Sequence, residues 1–248
     1  LLGSDVFAKK MEQYRTGSKQ KHDCLIPFSG GRDSSFTLHY VVKELGLNPI
    51  SFSYDWGMLT DLARRNQARM SGALGVEHIL VSADIRKKRR NIRSNVSAWL
   101  KRPHLGTIPL FMAGDKQYFY YSQLISSQNQ LKISIMGENN LEKTGFKTGF
   151  AGIKPPESGI MSYDIGLKEK TNMLLFYASQ YLLNPSYLNP SLVDTAKAFL
   201  AYYTIKHNHI NIFNYLPWDE VTVEKTIIDE YNWETDPGTK STWRIGDG

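Results

Sequence analysis

The sequence predicts an α/β fold: a doubly wound parallel sheet with a helical C-terminal portion. Three observations indicate it. Short apolar strands alternate with amphipathic helices from about residue 23 to residue 137, which is the pattern of a parallel sheet with helices on both faces. Polar, turn-forming segments follow three of these strands, and the carboxyl ends of parallel strands meet at one edge. Beyond residue 140 the strand pattern gives way to helical periodicity.

The alternation begins with residues 23–28, a brief apolar run that stops at a serine-glycine turn, as a buried strand does. A helix follows because Leu38, Val42 and Leu45 recur on one face, and Gly46 can end it. The remaining elements are predicted from the same periodicities and from capping residues. Predicted strands are 50–54, 78–81 and 131–136, and predicted helices are about 61–75, 85–100, 115–127, 171–183, 192–204 and 220–231.

Composition limits what the chain can be. Its 248 residues are 41% hydrophobic and 22% charged, so a packed core can form and wholesale disorder is excluded. The single cysteine, Cys24, excludes a disulfide scaffold. No apolar run of about 18 residues is present, so no membrane-spanning helix is expected. Because the chain does not start with a signal peptide, we expect a cytoplasmic protein.

Three regions follow from these patterns. Residues 1–21 are predicted as an N-terminal helix or tail, residues 22–142 as the α/β domain, and residues 143–248 as a loop and helical C-terminal region. The stretch 143–166 is rich in glycine, proline and lysine, which predicts a long loop. The chain lacks an initial methionine and stops abruptly, so we expect a segment of a longer protein.

Positive charge is concentrated in one segment. The formal net charge is +6, and residues 84–102 contain eight Lys or Arg residues and one acid, Asp84. The rest of the chain is therefore close to neutral. Such a segment can bind nucleic acid or another polyanion, and it can equally be a solvated helix face. Its predicted buried face consists of Ile85, Ile92, Val96, Trp99 and Leu100.

The turn after the first strand carries the strongest functional signal. It reads Ser29-Gly30-Gly31-Arg32-Asp33-Ser34-Ser35 and lies between a strand and a helix. Two glycines let the backbone turn sharply and approach a polyphosphate. The helix that follows presents free N–H groups and the positive end of its dipole to an anion. The pattern predicts a phosphate-binding loop that is neither a Walker A motif nor a dinucleotide-binding glycine motif.

Side chains of this loop add to the predicted site. The hydroxyls of Ser29, Ser34 and Ser35 can donate hydrogen bonds to phosphate oxygens. Arg32 can neutralise phosphate charge, and Asp33 can cap the helix or help to hold Mg²⁺ through water. The alternative is an ordinary serine-glycine turn that caps a helix.

The loop resembles the signature of the PP-loop ATP pyrophosphatases, whose fold is called adenine nucleotide alpha-hydrolase-like. The superfamily includes GMP synthetase, NAD synthetase, asparagine synthetase and tRNA-modifying thiolases. The resemblance implies that the loop holds the β,γ-pyrophosphate of ATP and that AMP passes to a substrate oxygen. The ATP-binding residues that it implies are Ser29, Gly30, Gly31, Arg32, Asp33, Ser34, Ser35, Tyr54, Asp55 and Gly137.

Four stretches resemble a narrower branch, the N-acetyl sugar amidotransferases of bacterial surface-polysaccharide and flagellin-sugar biosynthesis. The resemblance covers most of residues 20–248. Branch members convert the acetamido group of a nucleotide-linked sugar into an acetamidino group, for lipopolysaccharide, O-antigen or related glycans. The stretches are 27–35, 108–118, 137–140 together with 148–150, and 241–248.

The resemblance also implies roles for single residues. Asp33, Glu138 and Lys116 would be catalytic, and Asp33 or Glu138 would hold Mg²⁺ beside ATP. Tyr54 and Asp55 follow strand two, where the family packs adenine or ribose. A turn residue at Asp55 and a loop acid at Glu138 are the alternatives. The implied substrate contacts are Asp115, Asn139, Arg244 and Asp247.

The reaction implied by the resemblance has two steps. The amide oxygen of a UDP-activated N-acetyl sugar attacks the α-phosphorus of ATP and expels pyrophosphate. Ammonia then adds to the activated carbon and displaces AMP, which leaves an amidine. Cys24 is predicted to be buried and inert, so ammonia would come from a separate glutaminase partner similar to that of histidine biosynthesis.

The chain departs from the branch because it lacks the upstream Cys-x-x-Cys pairs, so no zinc site is expected within it. His207 and His209 are interpreted as surface residues rather than metal ligands. A tRNA-modifying thiolase or lysidine-type enzyme is one alternative. The basic segment favours it, but the missing cysteine pairs and RNA-binding domain make a nucleic-acid partner unexpected. A non-catalytic ATP-binding module is the other alternative.

Overall fold

The computed structural model describes residues 1–15, 21–111, 117–139, 149–150, 152, 166–203, 208–239, 241–242 and 245. Within these residues, five strands form one sheet. The strands are β1 (Cys24–Pro27), β2 (Pro49–Asp55), β3 (Glu77–Ser82), β4 (Ser134–Met136) and β5 (His209–Asn211).

Helices occupy most of the remaining described residues. Among the described residues, no helix is both long and apolar enough to cross a bilayer. The α-helices are α1 (Ser4–Glu12), α2 (Arg32–His39), α3 (Asp61–Leu74), α4 (Ile85–Lys101), α5 (Ile108–Phe111), α6 (Gln117–Gln128), α7 (Leu167–Leu183), α8 (Leu192–Tyr203) and α9 (Glu220–Tyr231). A π-helical turn, Tyr40–Glu44, continues α2, and 3₁₀ turns lie at Leu105–Thr107, Pro185–Tyr187 and Ile212–Asn214.

The sheet is wound in two directions from its centre. Its strand order is β3-β2-β1-β4-β5. β1 pairs in parallel with β2 and with β4, so that Leu25 lies opposite Ile50 on one side and Ser134 on the other. β4 pairs in parallel with β5. The chain therefore runs outward from β1 to β3 and then returns to the other side of β1, which confirms the predicted doubly wound α/β fold.

Several helix ends confirm the capping residues that the sequence indicated. Thr60 Oγ1 accepts a hydrogen bond of 3.0 Å from the Ala63 N–H at the start of α3. Gly75 ends the same helix with a φ of 66°, a left-handed conformation that suits glycine. Asp84 caps α4 by accepting a hydrogen bond of 3.0 Å from the Lys87 N–H.

The chain divides into two compact units. Unit 1 combines residues 1–81, 122–142 and 208–248, and unit 2 combines residues 82–121 and 143–207. This division differs from the predicted domains, because β5 and α9 complete unit 1 although they follow the predicted boundary. β5 has only 3 residues, too few to show a recognisable alternation of apolar and polar positions.

The core of unit 1 packs helices against the apolar strands. Cys24 and Leu25 of β1 are 0% exposed, so Cys24 is buried as predicted. Burial raises the pKa of the Cys24 thiol, which keeps it protonated and unreactive at neutral pH. The first segment of the chain is a helix rather than a tail, since Phe7 and Met11 of α1 are 0% and 1% exposed. Removing α1 would therefore open the core.

The buried face of α4, in unit 2, differs from the prediction. Leu100, predicted to be buried, is 65% exposed. The residues that α4 buries are Lys88, Asn91, Asn95 and Ala98. Each buried amide finds a polar partner: Asn91 Nδ2 donates to Asp194 at 2.9 Å, and Asn95 Nδ2 donates to the Leu110 carbonyl at 2.9 Å. Hydrophobic periodicity does not reveal a stripe whose burial depends on hydrogen bonds.

Two histidines of unit 1, the buried His39 and the half-buried His78, make its stability depend on pH. His39 Nδ1 is 2.6 Å from the Tyr231 hydroxyl, and His78 lies between Ser51 and Ser53 at 2.9 Å and 3.2 Å. Burial lowers the pKa of both imidazoles. Below about pH 6.5 the unfolded chain binds protons that the folded chain resists, so acid favours unfolding.

We therefore expect the free energy of unfolding to fall as the pH drops below about 6.5, with little change between pH 7 and 8 from these groups. Urea titrations from pH 5 to pH 8 measure it. The double substitution His39→Gln and His78→Gln is expected to flatten this part of the profile. An equally steep profile in the double variant would assign the effect to other groups.

Candidate active site

The loops that follow β1 and β4 meet at the carboxyl ends of these neighbouring strands. The sheet reverses its winding direction between β1 and β4, and this is where open α/β sheets bind their ligands. Asn139 Nδ2, after β4, donates a hydrogen bond of 2.7 Å to Asp33 Oδ2, after β1. A Cβ atom at Gly137 would overlap Thr37 Oγ1, so only glycine permits this close approach. The structure thus joins two of the three predicted polar segments.

Hydrogen bonds within the loop 29–35 hold its turn in place. Ser29 Oγ lies 3.0 Å from Ser34 Oγ and accepts a hydrogen bond of 3.2 Å from the Gly31 N–H. Ser34 Oγ donates to the Gly31 carbonyl at 3.1 Å. Ser29 is exposed and Ser34 is partly exposed, whereas Ser35 is 0% exposed. The first two hydroxyls are therefore reachable from solvent, and the hydroxyl of Ser35 is not.

Gly30 requires glycine for two independent reasons. Its φ of 82° is left-handed, which side chains rarely tolerate. A Cβ atom there would overlap the Ala63 carbonyl oxygen and lie 3.0 Å from Gln67 Cγ. The Gln67 side chain holds the same turn, because its Nε2 donates to the Ser29 carbonyl at 2.9 Å. The turn is thus packed directly against α3.

The amino end of α2 lies in this loop and has no side-chain cap among the described residues. Gly31 is its N-cap residue and supplies no side-chain cap to the first-turn N–H groups. Such a helix end attracts anions, because its N–H groups and the positive end of its dipole converge there. The sequence predicted this arrangement from the strand-turn-helix pattern alone.

The Asp33 carboxylate is held by three donors. Trp218 Nε1 donates to Oδ1 at 2.9 Å, and Arg32 Nε donates to the same oxygen at 3.1 Å. Asn139 Nδ2 donates to Oδ2 at 2.7 Å. A carboxylate offers about four acceptor positions, so about one position is left for a further ligand.

Arg32 occupies a different place from the one predicted. The sequence suggested that it offsets phosphate charge, but the side chain is 4% exposed and bonded to protein groups. Its Nη1 donates to Thr242 Oγ1 at 2.9 Å and pairs with Glu220 and Glu224. Burial alone would lower the pKa of Arg32. The surrounding carboxylates outweigh burial, so the pKa lies above its ordinary value. Arg32 is thus a permanent cation that joins α2 to the C-terminal segment, the part of the chain that carries Glu220, Glu224 and Thr242.

Mg²⁺ is the ion implied by the resemblance, and the residues present suit it. Mg²⁺ prefers carboxylate and phosphate oxygens and takes only one or two protein ligands at such sites. Asp33 has about one acceptor position left. Glu138 is partly exposed and precedes Asn139, the residue that donates to Asp33. Over the described ranges, no three acidic, histidine or cysteine side chains form a metal cluster of their own.

The pair Tyr54 and Asp55 ends β2, next to β1. Asp55 is 2% exposed. Its Oδ1 accepts a hydrogen bond of 2.9 Å from the Gly57 N–H, and its Oδ2 pairs with Arg64 Nη2. Asp55 therefore closes the turn before Gly57, which was the alternative interpretation, and contact with ATP at this position stays a prediction.

Of the remaining predicted site residues, the structure describes Glu138 and Asn139. Asn139 is fully buried, and the Glu138 carbonyl accepts a hydrogen bond of 2.6 Å from Asn211 Nδ2 at the end of β5. The predicted residues outside the described ranges are Asp115, Lys116, Arg244 and Asp247, together with His207.

Sequence reasoning missed the residues that support the loop from far along the chain. Trp218 donates to the Asp33 carboxylate. Trp233 donates to the Gly30 carbonyl at 3.2 Å. Gln67 of α3 donates to the Ser29 carbonyl, and Asn211 of β5 donates to the Glu138 carbonyl. None of these residues lies in a glycine-rich or charged motif, so no local signal identified them.

Solved structures that are similar to the chain include two synthetases. NMN synthetase from Francisella tularensis matches with a TM-score of 0.40 and 11% identity, over 95% of this chain and 97% of that chain. NAD+ synthetase from Burkholderia pseudomallei matches with a TM-score of 0.36 and 13% identity, over 92% of this chain and 84% of that chain. No protein-family profile and no curated protein matches the chain. The function proposed below therefore depends on the loop geometry and not on these likenesses.

Proposed function

We propose that the chain binds ATP at the loop 29–35 and transfers AMP to a substrate oxygen, with release of pyrophosphate. The observation that carries this proposal is the turn at Gly30 and Gly31, which leaves the amino end of α2 without a side-chain cap. A phosphate group satisfies such a helix end. The exposed Ser29 and partly exposed Ser34 hydroxyls lie beside it and can donate to further phosphate oxygens.

Positioning and charge stabilisation would supply most of the catalysis. The helix end and the serine hydroxyls would hold the β- and γ-phosphates, so that the α-phosphorus faces an attacking oxygen. Asp33 and Glu138 would hold Mg²⁺, which when bound neutralises charge on the leaving pyrophosphate. Lys116, outside the described residues, keeps the catalytic role that the resemblance implies.

The substrate that we propose is the acetamido group of a UDP-linked N-acetyl sugar. The amide oxygen forms a bond to the α-phosphorus, and the bond from that phosphorus to the pyrophosphate oxygen breaks. Ammonia then adds to the amide carbon, the C–O bond to AMP breaks, and protons lost from nitrogen leave an acetamidino group. Asp115, Arg244 and Asp247 are the proposed substrate contacts. Asn139 is no longer among them, because its side chain is fully buried and donates to Asp33.

Ammonia would reach the site from a separate glutaminase subunit. The buried Cys24 thiol cannot serve as the nucleophile of glutamine hydrolysis, because it lies inside β1 and stays protonated. The four stretches that resemble the sugar amidotransferases support this division of labour.

The purified chain is expected to release pyrophosphate from ATP when UDP-diacetamido sugar, Mg²⁺ and ammonium are supplied together. Mass spectrometry should show that the sugar loses an oxygen atom and gains an NH group. Glutamine is expected not to replace ammonium, and the Cys24→Ala variant should keep the ammonium-dependent rate. If ATP binds but no pyrophosphate is released with any acetamido sugar, the chain is a binding module instead.

A tRNA-modifying enzyme is the second candidate, because one observation favours it. Arg86, Arg90 and Arg93 are exposed and recur at helical spacing along one face of α4. A basic face of this kind suits a phosphate backbone. Titration with tRNA at several salt concentrations tests it: steep loss of binding with salt, together with pyrophosphate release that requires tRNA, would replace the sugar proposal.

A further inference from the structure

Asp33 lies in the first turn of α2, close to the N–H groups that the proposed function assigns to a phosphate. A carboxylate in a first turn is attracted by the helix dipole and can accept hydrogen bonds from these N–H groups. Gly31, the N-cap residue, offers no competing side chain. A free Asp33 carboxylate would therefore act as an internal anion that occupies the phosphate position.

The structure pairs this carboxylate with side-chain donors instead of the first-turn N–H groups. Trp218 Nε1 donates to Oδ1 at 2.9 Å, and Asn139 Nδ2 donates to Oδ2 at 2.7 Å. Arg32 Nε adds a charged donor at 3.1 Å, which offsets the negative charge that would otherwise repel a polyphosphate. Donors from three different parts of unit 1 thus converge on one side chain.

Trp218 packs against Arg32, the other residue that donates to Asp33 Oδ1. The Arg32 guanidinium carbon lies 5.0 Å from the centroid of the indole ring, a cation–π distance. Arg32 is fixed in turn by Thr242 and by Glu220 and Glu224 of α9. The C-terminal segment therefore sets the position of the Asp33 carboxylate through two side chains.

We propose that Trp218 and Arg32 are positioning residues that hold the Asp33 carboxylate off the amino end of α2 and so keep that end open for phosphate. The inference rests on the proposed function, because it assumes that ATP binds there. It assigns to Arg32 a role opposite to direct phosphate binding: the guanidinium removes a competitor for the phosphate site. It also makes the C-terminal segment part of the ATP site.

The Trp218→Phe substitution tests the inference, because it removes one donor and keeps an aromatic ring over Arg32. Loss of one hydrogen bond to a charged group should raise the Kd for MgATP roughly tenfold. In the Asp33→Asn background the side chain is no longer an anion that competes for the helix end. Asp33→Asn also weakens the proposed contact with Mg²⁺, which raises both Kd values in this background, so the ratio of the two is compared. There the same Trp218→Phe substitution should change the Kd less than about twofold.

Isothermal titration with MgATP measures the four Kd values, and thermal melting shows that each variant is folded. The Trp99→Phe variant is the matched control, since it removes an indole donor, to the His104 carbonyl, within unit 2. Its Kd should equal that of the wild type. An equal loss in both backgrounds, or no loss with Asp33 in place, would overturn the inference while leaving the proposed function intact. A wild-type chain that does not bind MgATP would overturn both.

Discussion

The Gly30→Ala substitution is expected to abolish ATP binding. The residue has a φ of 82°, and an added Cβ atom would overlap the Ala63 carbonyl oxygen. A left-handed conformation alone costs a side chain about 1–2 kcal/mol, and the overlap forces the turn away from α3. We expect the Kd for MgATP to rise by ~100-fold or more, since the overlap adds to this conformational cost. Isothermal titration measures it, and thermal melting should show a lower Tm.

Gly72 provides the matched control, because it lies in the same helix as Ala63 and no atom lies within 4 Å of an added Cβ. Gly72→Ala should leave the Kd unchanged and stabilise the fold by about 0.5–1 kcal/mol, as expected for alanine in a helix. Normal ATP binding by Gly30→Ala would show that the phosphates bind elsewhere. Gly31 does not share the conformational restraint, because its φ is −75°, a value open to any residue.

The Asp194→Ala substitution is expected to destabilise unit 2 by about 3–5 kcal/mol, the usual cost of breaking a buried ion pair. Lys88 is 5% exposed, and its Nζ lies 3.1 Å from Asp194 Oδ2 and 2.7 Å from Gln117 Oε1. Burial lowers the pKa of Lys88, and Asp194 only partly offsets this. Without Asp194, the ammonium group is left buried with one neutral partner. Hydrogen exchange of the α4 amides reports the loss within unit 2.

Two further variants separate the ion pair from its surroundings. Lys88→Met combined with Asp194→Leu should be less destabilising than Asp194→Ala, because no unpaired charge is left behind. Lys87→Met is the surface control: its Nζ lies 3.9 Å from Asp194 and its side chain is 45% exposed, so we expect a change below about 1 kcal/mol. A loss below about 1 kcal/mol for Asp194→Ala would show that Lys88 reaches water.

The sequence predicted best those features that depend on residues close together in the chain. The turn at Gly30, the caps at Thr60 and Asp84, and the parallel arrangement all follow from short-range patterns. β5 was missed because its 3 residues carry no periodicity. The predicted stripe of α4 is only partly buried: Trp99 packs against the core and Leu100 is exposed, while the fully buried positions lie beside the stripe. Burial there is decided by hydrogen-bond partners at positions 110, 189 and 194, which lie elsewhere in the chain.

The candidate site shows the same limit. Asp33 was identified from its motif, but the direction of its carboxylate depends on Trp218 and Asn139. Arg32 was expected to neutralise phosphate charge because it lies in the same motif. Its partners at 220, 224 and 242 become visible only when the chain is folded.

The bond between Arg32 and Thr242 spans 210 residues of chain. A ribosome that adds about 5–20 residues per second needs roughly 10–40 s to make that stretch. For most of this time the nascent chain carries the loop 29–35 without Trp218 and Trp233, and Arg32 lacks its partners on α9 and at Thr242. The loop 29–35 is therefore synthesised long before the side chains that hold it, and a chain that terminates before residue 218 lacks both indole donors, to Asp33 and to Gly30.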